Sequence, residues 1–439
     1  MILRLFLRVV YFLVKQLVLF YQAIYFPFTV VKNRAQLSFD GPGIVVSNHP
    51  NTLVDPLHVV SRSPRQSFFL ANASIFKNPI AGFLLKHLYC IPIYRPGIDL
   101  DRHGNPVDND KSFADTYTHL EGGGVIYIAP EGGSYVGRRL RDLKTGTARI
   151  AFGVEAQNDF KLGLKIYPAG VNYESPYYCG SRLYIEAGEP ILVADWQEAY
   201  EKDPMQAVRD LTNHIADRIK KLLIHTIDEE QDQFLYRLER IVQHDEPLPI
   251  DQQYQRVQKL LTGLNQLAER KQEEYDKLQS ETATYRKKLR DVKVADRGIS
   301  QQRKSLWTAV SLLGWPIWLY GRLNNILGYE IPRWIERKMD LYIGYRTTVK
   351  VLSGVILIPL FYFLQYKLVQ YLTNPTISLW YLLSLPLSGI LAWGYAYHVQ
   401  PRLEAWQWRK WAKQNPEEAA VLQNQRDGLK QTIETLLQT

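Results

Sequence analysis

The chain has 439 residues, enough for one domain of a few hundred residues plus attachments. Its two cysteines, Cys90 and Cys179, exclude a disulfide framework and lack metal-ligand spacing. We read both as small buried apolar residues in a reducing compartment. Fifty-three Lys and Arg against 44 Asp and Glu leave a charge of +9, which suits an anionic partner, nucleic acid or anionic lipid. Twenty-eight Tyr and ten Trp favour a membrane–water boundary.

Residues 1–33 are mostly apolar. At about 100° per residue, Arg4, Arg8, Lys15 and Gln22 fall within a sector of about 40°. The charges run through the apolar stretch and no small-residue end follows, so a secretory signal is excluded. The pattern predicts an amphipathic helix lying in the membrane surface, its basic stripe towards phosphates. Lys15 would sit near mid-bilayer in a spanning helix. A helix packed on a soluble core is the alternative.

Residues 34–227 alternate apolar runs with amphipathic segments. Strands are predicted at 44–46, 67–70, 90–94, 125–129, 164–168 and 183–187. Helices are predicted near 56–62, 74–89, 112–121, 145–157 and 205–227. This alternation argues an α/β fold, a mixed sheet flanked by helices, with functional loops at the carboxyl ends of strands. Residues 228–300 turn to Gln, Glu, Lys, Arg and spaced leucines, interrupted at Pro247-Leu248-Pro249. We read this helical insert as a solvated spacer; an antiparallel pair or short coiled coil is the alternative.

Residues 301–346 form an aromatic segment expected to rest in the membrane interface. Within 347–400, two apolar stretches are each long enough to span a core of about 30 Å, with Asn374-Pro375 as the turn. Arg333, Arg337, Lys338, Arg346 and Lys350 precede them, and Arg402, Arg409, Lys410 and Lys413 follow. Basic flanks on both sides predict a transmembrane hairpin with both ends cytoplasmic, a cytoplasmic domain before it and a helical tail at 401–439.

The chemistry concentrates where strands end. After 43–46 comes Ser47-Asn48-His49-Pro50-Asn51-Thr52-Leu53-Val54-Asp55-Pro56. A histidine moves protons near neutral pH, and a carboxylate on one ring nitrogen leaves the other as a base. No serine accompanies the pair, so the reacting hydroxyl belongs to a substrate. The alternative is a plain helix start, Asp55 as N-cap with Pro56 first. Further on, 91–94 runs into Arg95, and 125–129 runs into Pro130-Glu131-Gly132-Gly133-Ser134. Lys144-Thr145-Gly146-Thr147-Ala148-Arg149 opens a helix. Arg95, Lys144 and Arg149 suit phosphate, as do the N–H groups at Thr145 and Gly146. Gly132 and Gly133 admit close approach of a ligand.

Taken together these blocks resemble the glycerolipid acyltransferase superfamily: Asn48-His49…Asp55, then Ile91–Arg95, Pro130–Gly133 and Tyr167–Gly170, in order over about 125 residues. The spacing of five residues between His49 and Asp55 is similar to a subgroup of fungal glycerol-3-phosphate/dihydroxyacetone-phosphate acyltransferases and their bacterial relatives. Tyr135 departs from the polar or basic residue common there. The resemblance implies an O-acyltransferase with His49 and Asp55 catalytic. Asn48, Pro50, Asn51, Arg95, Glu131, Gly132, Gly133, Ser134, Lys144, Thr145, Gly146 and Arg149 are then substrate-binding. It implies no bound cofactor and no metal, with acyl-CoA or acyl-ACP as co-substrate and a glycerol phosphate acceptor. A non-catalytic scaffold of the same fold is the rival reading. A lipid hydrolase would want a nucleophile elbow, and no Gly-x-Ser-x-Gly is present. The basic residues flank apolar segments instead of forming a stripe through a polar domain, which argues against nucleic acid.

Overall fold

A computed structural model describes residues 2–77, 79–87, 89–94, 109–300 and 306–438. The chain divides into two compact units: residues 1–225 with 342–348, and residues 226–341 with 349–439.

The first unit begins with α1 (Ile2–Tyr25), followed by β1 (Phe28–Lys32) and β2 (Gly43–Ser47). Next come α2 (Val54–Val60), β3 (Ser67–Asn72), α3 (Pro79–His87), β4 (Cys90–Ile93), α4 (Asp110–Glu121) and β5 (Val125–Ile128). The unit is completed by α5 (Gly146–Gln157), β6 (Lys165–Tyr173), β7 (Arg182–Ala187), β8 (Ile191–Leu192), α6 (Gln197–Lys202) and α7 (Pro204–Lys220). The sheet runs β1-β7-β6-β2-β5-β3-β4, with β8 beside β6. Its pairings are parallel except β6 with β7 and β8, so it is the expected mixed sheet.

β2 lies between β5 and β6, with Val46 opposite both Ile128 and Pro168. Successive residues point to opposite faces. Ile44 and Val46 therefore join the core beneath α5 and α7, and Val45 joins the core with Phe26, Phe39 and Val59. All three are fully buried. Each such burial is worth about 1.5–3 kcal/mol, so β2 is firmly anchored and the loop leaving it starts from a fixed point.

Several expectations are corrected here. The first helix stops at Tyr25, because Pro27 lacks an N–H and disfavours helix at Phe26. The β-branched Thr29-Val30-Val31 then pair with β7 as an edge strand. The polar stripe of α1 does not turn outward as a whole: Lys15 Nζ donates to Ser63 O, and Gln22 donates to Leu57 O at 3.0 Å. Phe6, Phe12, Leu13, Leu17 and Phe20 are exposed, and of the stripe Arg8 is exposed with them. The segment near 74–89 is a short 3-10 turn and then α3. β6 does not stop at Pro168 but continues to Tyr173. Cys179 is exposed and Cys90 half-buried.

In the second unit, α8 (Glu229–Asp245), α9 (Ile250–Arg270) and α10 (Gln272–Asp291) pack with α15 (Pro416–Gln438). Their core includes Phe234, Leu238, Leu260, Leu264, Tyr285, Leu429 and Ile433. The spacer reading is thereby overturned: 228–300 and the tail together make a folded helical bundle. The leucines repeat at a helical period and find each other across the sequence. At the start of α11 (Asp296–Ser300), buried Asp296 accepts from His244 and Tyr285 at 2.7 Å and from Arg426 at 3.0 Å. Arg426 also forks onto Asp245 at 2.8 and 3.0 Å.

The aromatic segment is one helix, α12 (Leu306–Lys338), and α13 (Arg346–Leu372) and α14 (Pro375–Gln414) follow. The stretches 343–372 and 375–414 are long and apolar enough to cross a membrane. They make an open hairpin. Near the turn, Tyr381 donates to Gln365 at 2.8 Å. Beyond it α14 follows the N-terminal half of α12, with Gly321 against Ser388 and Gly314 against Tyr395, while Ile358 of α13 meets Gly328.

Candidate active site

The site forms where β2 and β5 end side by side and β6 runs on past them. Asn48, first after β2, pairs with β6 like a ladder residue: its side chain donates to Val171 O at 2.9 Å and accepts from Val171 N at 2.8 Å. Its amide is consumed in holding the loop, so its part is structural. His49 follows, with both backbone groups pinned by the loop after β5. Its N–H donates to Glu131 Oε1 at 2.8 Å, and its carbonyl accepts from Tyr135 N at 3.0 Å.

His49 Nδ1 stands 3.1 Å from Asp55 Oδ2, with the imidazole 16% exposed and Asp55 fully buried. The distance is right but the angle falls short of a hydrogen bond. Asp55 is not the helix N-cap; that position is Leu53, and Asp55 lies in the first turn of α2. Its carboxylate turns back onto the loop. Oδ2 accepts from Asn51 N at 2.6 Å and Oδ1 from Tyr173 OH at 2.7 Å. A buried carboxylate needs such partners. Burial, then the Asp55 charge, hold the Tyr173 phenol well above its ordinary value, so it stays a donor.

Glu131 was expected to face substrate, yet it is 9% exposed and both its oxygens are engaged. One accepts from His49 N and the other from Arg141 N at 3.0 Å. Burial pushes its carboxyl upward, against these two hydrogen bonds. Asn51, fully buried, donates to Pro176 O at 2.9 Å and likewise holds the loop. Pro50 is buried beside it.

Gly132 and Gly133 are exposed, and Gly132 has φ +72°, which its missing Cβ allows. Gly132 N donates to Ala129 O at 3.2 Å. The N–H groups of Gly133 and Ser134 donate to no group among the described residues. Ser134 Oγ accepts from Thr52 N at 3.2 Å.

Lys144 N donates to Pro130 O at 2.8 Å, which brings Lys144 alongside Gly132. Thr145 and Gly146 begin α5 next to it. Arg149 is exposed one turn on, near enough to Tyr117 of α4 for its charge to act on that phenol. Arg95 lies outside the described residues. Tyr135 is covered by the Arg141 guanidinium, 4.0 Å from its ring centroid, with Arg139 at 5.7 Å.

Gly170, last of the four sequence blocks, is packing and not chemistry. A Cβ there would stand 2.1 Å from Leu222 O.

Residues 29–172 match the Acyltransferase family model. These residues are an acyltransferase-family domain. The match runs from β1 to β6, so the whole His49–Asp55–Glu131 group lies inside it. The chain is 26% identical over 191 residues to glycerol-3-phosphate O-acyltransferase 2 of Saccharomyces cerevisiae, covering 40% of this chain and 25% of that protein. It is 32% identical over 120 residues to glycerol-3-phosphate O-acyltransferase 1 of the same yeast, covering 27% and 16%. The matched region thus spans a quarter or less of these relatives. Among solved structures, the 1-acyl-sn-glycerophosphate acyltransferase PlsC of Thermotoga maritima matches with 15% identity and a TM-score of 0.32, over 44% of this chain and 70% of that one.

Thr52, Tyr173, Arg141 and the carbonyl of Pro176 were missed from sequence. Tyr173 lies beyond the predicted end of β6 at Pro168. Thr52 has φ +36°, which nothing in its identity announces.

Proposed function

We propose that the acyltransferase domain transfers a fatty acyl group from a thioester of coenzyme A or acyl carrier protein to a hydroxyl of a glycerol phosphate. The observation that carries this reading is the buried Asp55 behind a half-open His49. His49 Nε2 takes the proton of the acceptor hydroxyl as its oxygen attacks the thioester carbonyl. Asp55 orients the ring and stabilises the imidazolium. The N–H groups of Gly133 and Ser134 receive the oxyanion of the tetrahedral intermediate. Its collapse expels the thiolate, which takes the proton back from His49. A positioned base contributes about 10²–10⁴ in rate, and preorganised N–H donors add to it.

Lys144 and the start of α5 are the cationic side on which the acceptor phosphate rests, in keeping with the glycerol 3-phosphate named for the yeast relatives. The exposed apolar face of α1 lies in the membrane surface, α13 and α14 span it, and the acyltransferase domain faces the cytoplasm. A scaffold would not require a carboxylate held at 3.1 Å from an accessible imidazole. The test offers the purified protein glycerol 3-phosphate, dihydroxyacetone phosphate and lysophosphatidate with each donor and identifies the lipid formed. Acylation of none of them, or release of free fatty acid alone, contradicts the reading.

A further inference from the structure

Residues 342–348 follow α12 and include the first residues of α13, and they belong to the compact unit that contains the candidate site. They reach the His49 loop and its neighbours at four points. Tyr342 OH accepts from Val136 N at 2.8 Å. Gly344 O accepts from Thr52 Oγ1 at 3.2 Å. Thr348 Oγ1 and Thr52 Oγ1 are 2.6 Å apart. Thr347 Oγ1 donates to Pro176 O at 2.6 Å, the same carbonyl that receives Asn51 Nδ2.

Thr52 explains why these contacts matter. It lies between His49 and Asp55, is 6% exposed, and has φ +36°. A β-branched residue in the left-handed region is strained and persists only where its surroundings over-determine it. Two of its three anchors come from 342–348, and the third is Ser134 Oγ on its N–H. Thr347 is fully buried and Thr348 is 9% exposed, so neither hydroxyl has water as a ready substitute. Gly344 fits because it has no side chain. A Cβ there would meet the Tyr342 ring at 2.9 Å and Ser134 Oγ at 3.1 Å.

We infer that residues 342–348 are a positioning strap for acyl transfer, with Thr348, Thr347 and Gly344 holding the bend at Thr52 that sets His49 against Asp55. None of them touches substrate. The strap ends within the first turn of α13, so the chain is fastened to the His49 loop where its first apolar helix begins. This inference rests on the reading of His49 as the base.

The test compares Thr348→Val, Thr348→Ser, Thr347→Val and Gly344→Ala with the parent and with His49→Ala in the full-length protein. Steady-state kinetics use glycerol 3-phosphate and an acyl-CoA, and melting curves confirm folding. Thr348→Val keeps the shape and removes the hydroxyl. It is expected to lower kcat at least tenfold while both KM values stay within about twofold, and Thr348→Ser is expected to restore most of the loss. Gly344→Ala should act in the same way through Ser134. Parent-like kcat in folded Thr348→Val, beside an inactive His49→Ala, overturns the strap alone. So does a loss that appears only in KM, or one that Thr348→Ser fails to recover. An active His49→Ala overturns the site reading and the strap with it.

Discussion

Replacing Glu131 by Gln separates a positioning carboxylate from a substrate ligand. The carboxylate accepts two backbone N–H groups, from His49 at 2.8 Å and Arg141 at 3.0 Å. Gln offers one oxygen and one NH₂, so one N–H loses its acceptor and faces a donor. A hydrogen bond to a charged group is worth about 1.5–3 kcal/mol. That is the expected loss of stability, and it bears on the backbone of His49 itself. If half of it appears as misplacement of His49 in the transition state, kcat falls about threefold to twelvefold, since about 1.4 kcal/mol is tenfold. The KM for glycerol 3-phosphate should change by less than about twofold, because Glu131 has no oxygen left for the acceptor. Steady-state kinetics with each substrate varied, and a melting curve on the same preparation, make the test. A tenfold rise in acceptor KM at unchanged kcat and stability would refute the assignment and return Glu131 to the substrate.

Other outcomes follow from the same geometry. His58, fully buried in α2 with neither ring nitrogen bonded, is pushed by burial and then by Arg62 from 6.5 down to about 3. The fold therefore holds it neutral; its stabilising term is intact above pH 6.5 and is lost as pH falls from there towards 3, costing about 2 kcal/mol between pH 7 and 5. Denaturation at both pH values should show that difference in the parent and a much smaller one in His58→Leu; equal slopes contradict it. Arg426→Met leaves Asp296 and Asp245 short of their cation and should destabilise the helical bundle by about 3–5 kcal/mol, read as an early melting transition, whereas an unchanged melt would show the cluster to be dispensable. With Cys90 and Cys179 first replaced, cysteine introduced at Asn374 should label from the membrane side opposite to cysteines at Asp340 and Lys410, and labelling of all three from one side excludes the hairpin.

The strands of the acyltransferase domain were legible because each is a short β-branched run between turn residues, as at 44–46 and 125–128. His49 and Asp55 were legible because they follow such a strand in a recognisable block. What the spacing could not show is which side chains act on substrate and which on the loop. Asn48, Asn51 and Glu131 are polar residues beside His49, yet their partners are backbone groups from distant stretches. The strap lies almost 300 residues after Thr52 in sequence, and no local pattern links the two. The helical bundle was missed for a similar reason. The leucines of α9 look under-partnered until Leu429 and Ile433 of α15 arrive from the far end of the chain. α1 shows the opposite case: its periodicity was correctly seen, but a narrow polar stripe serves equally to face water or to reach backbone carbonyls at Ser63 and Leu57.

The central claim is that His49 is the base for acyl transfer to a substrate hydroxyl. Its most direct test measures formation of acylated glycerol phosphate from glycerol 3-phosphate and acyl-CoA by the purified parent and by His49→Ala, with folding checked by melting. The account predicts product from the parent and a rate at least about a hundredfold lower from a folded His49→Ala protein. Turnover within a few-fold of the parent in that variant would contradict it.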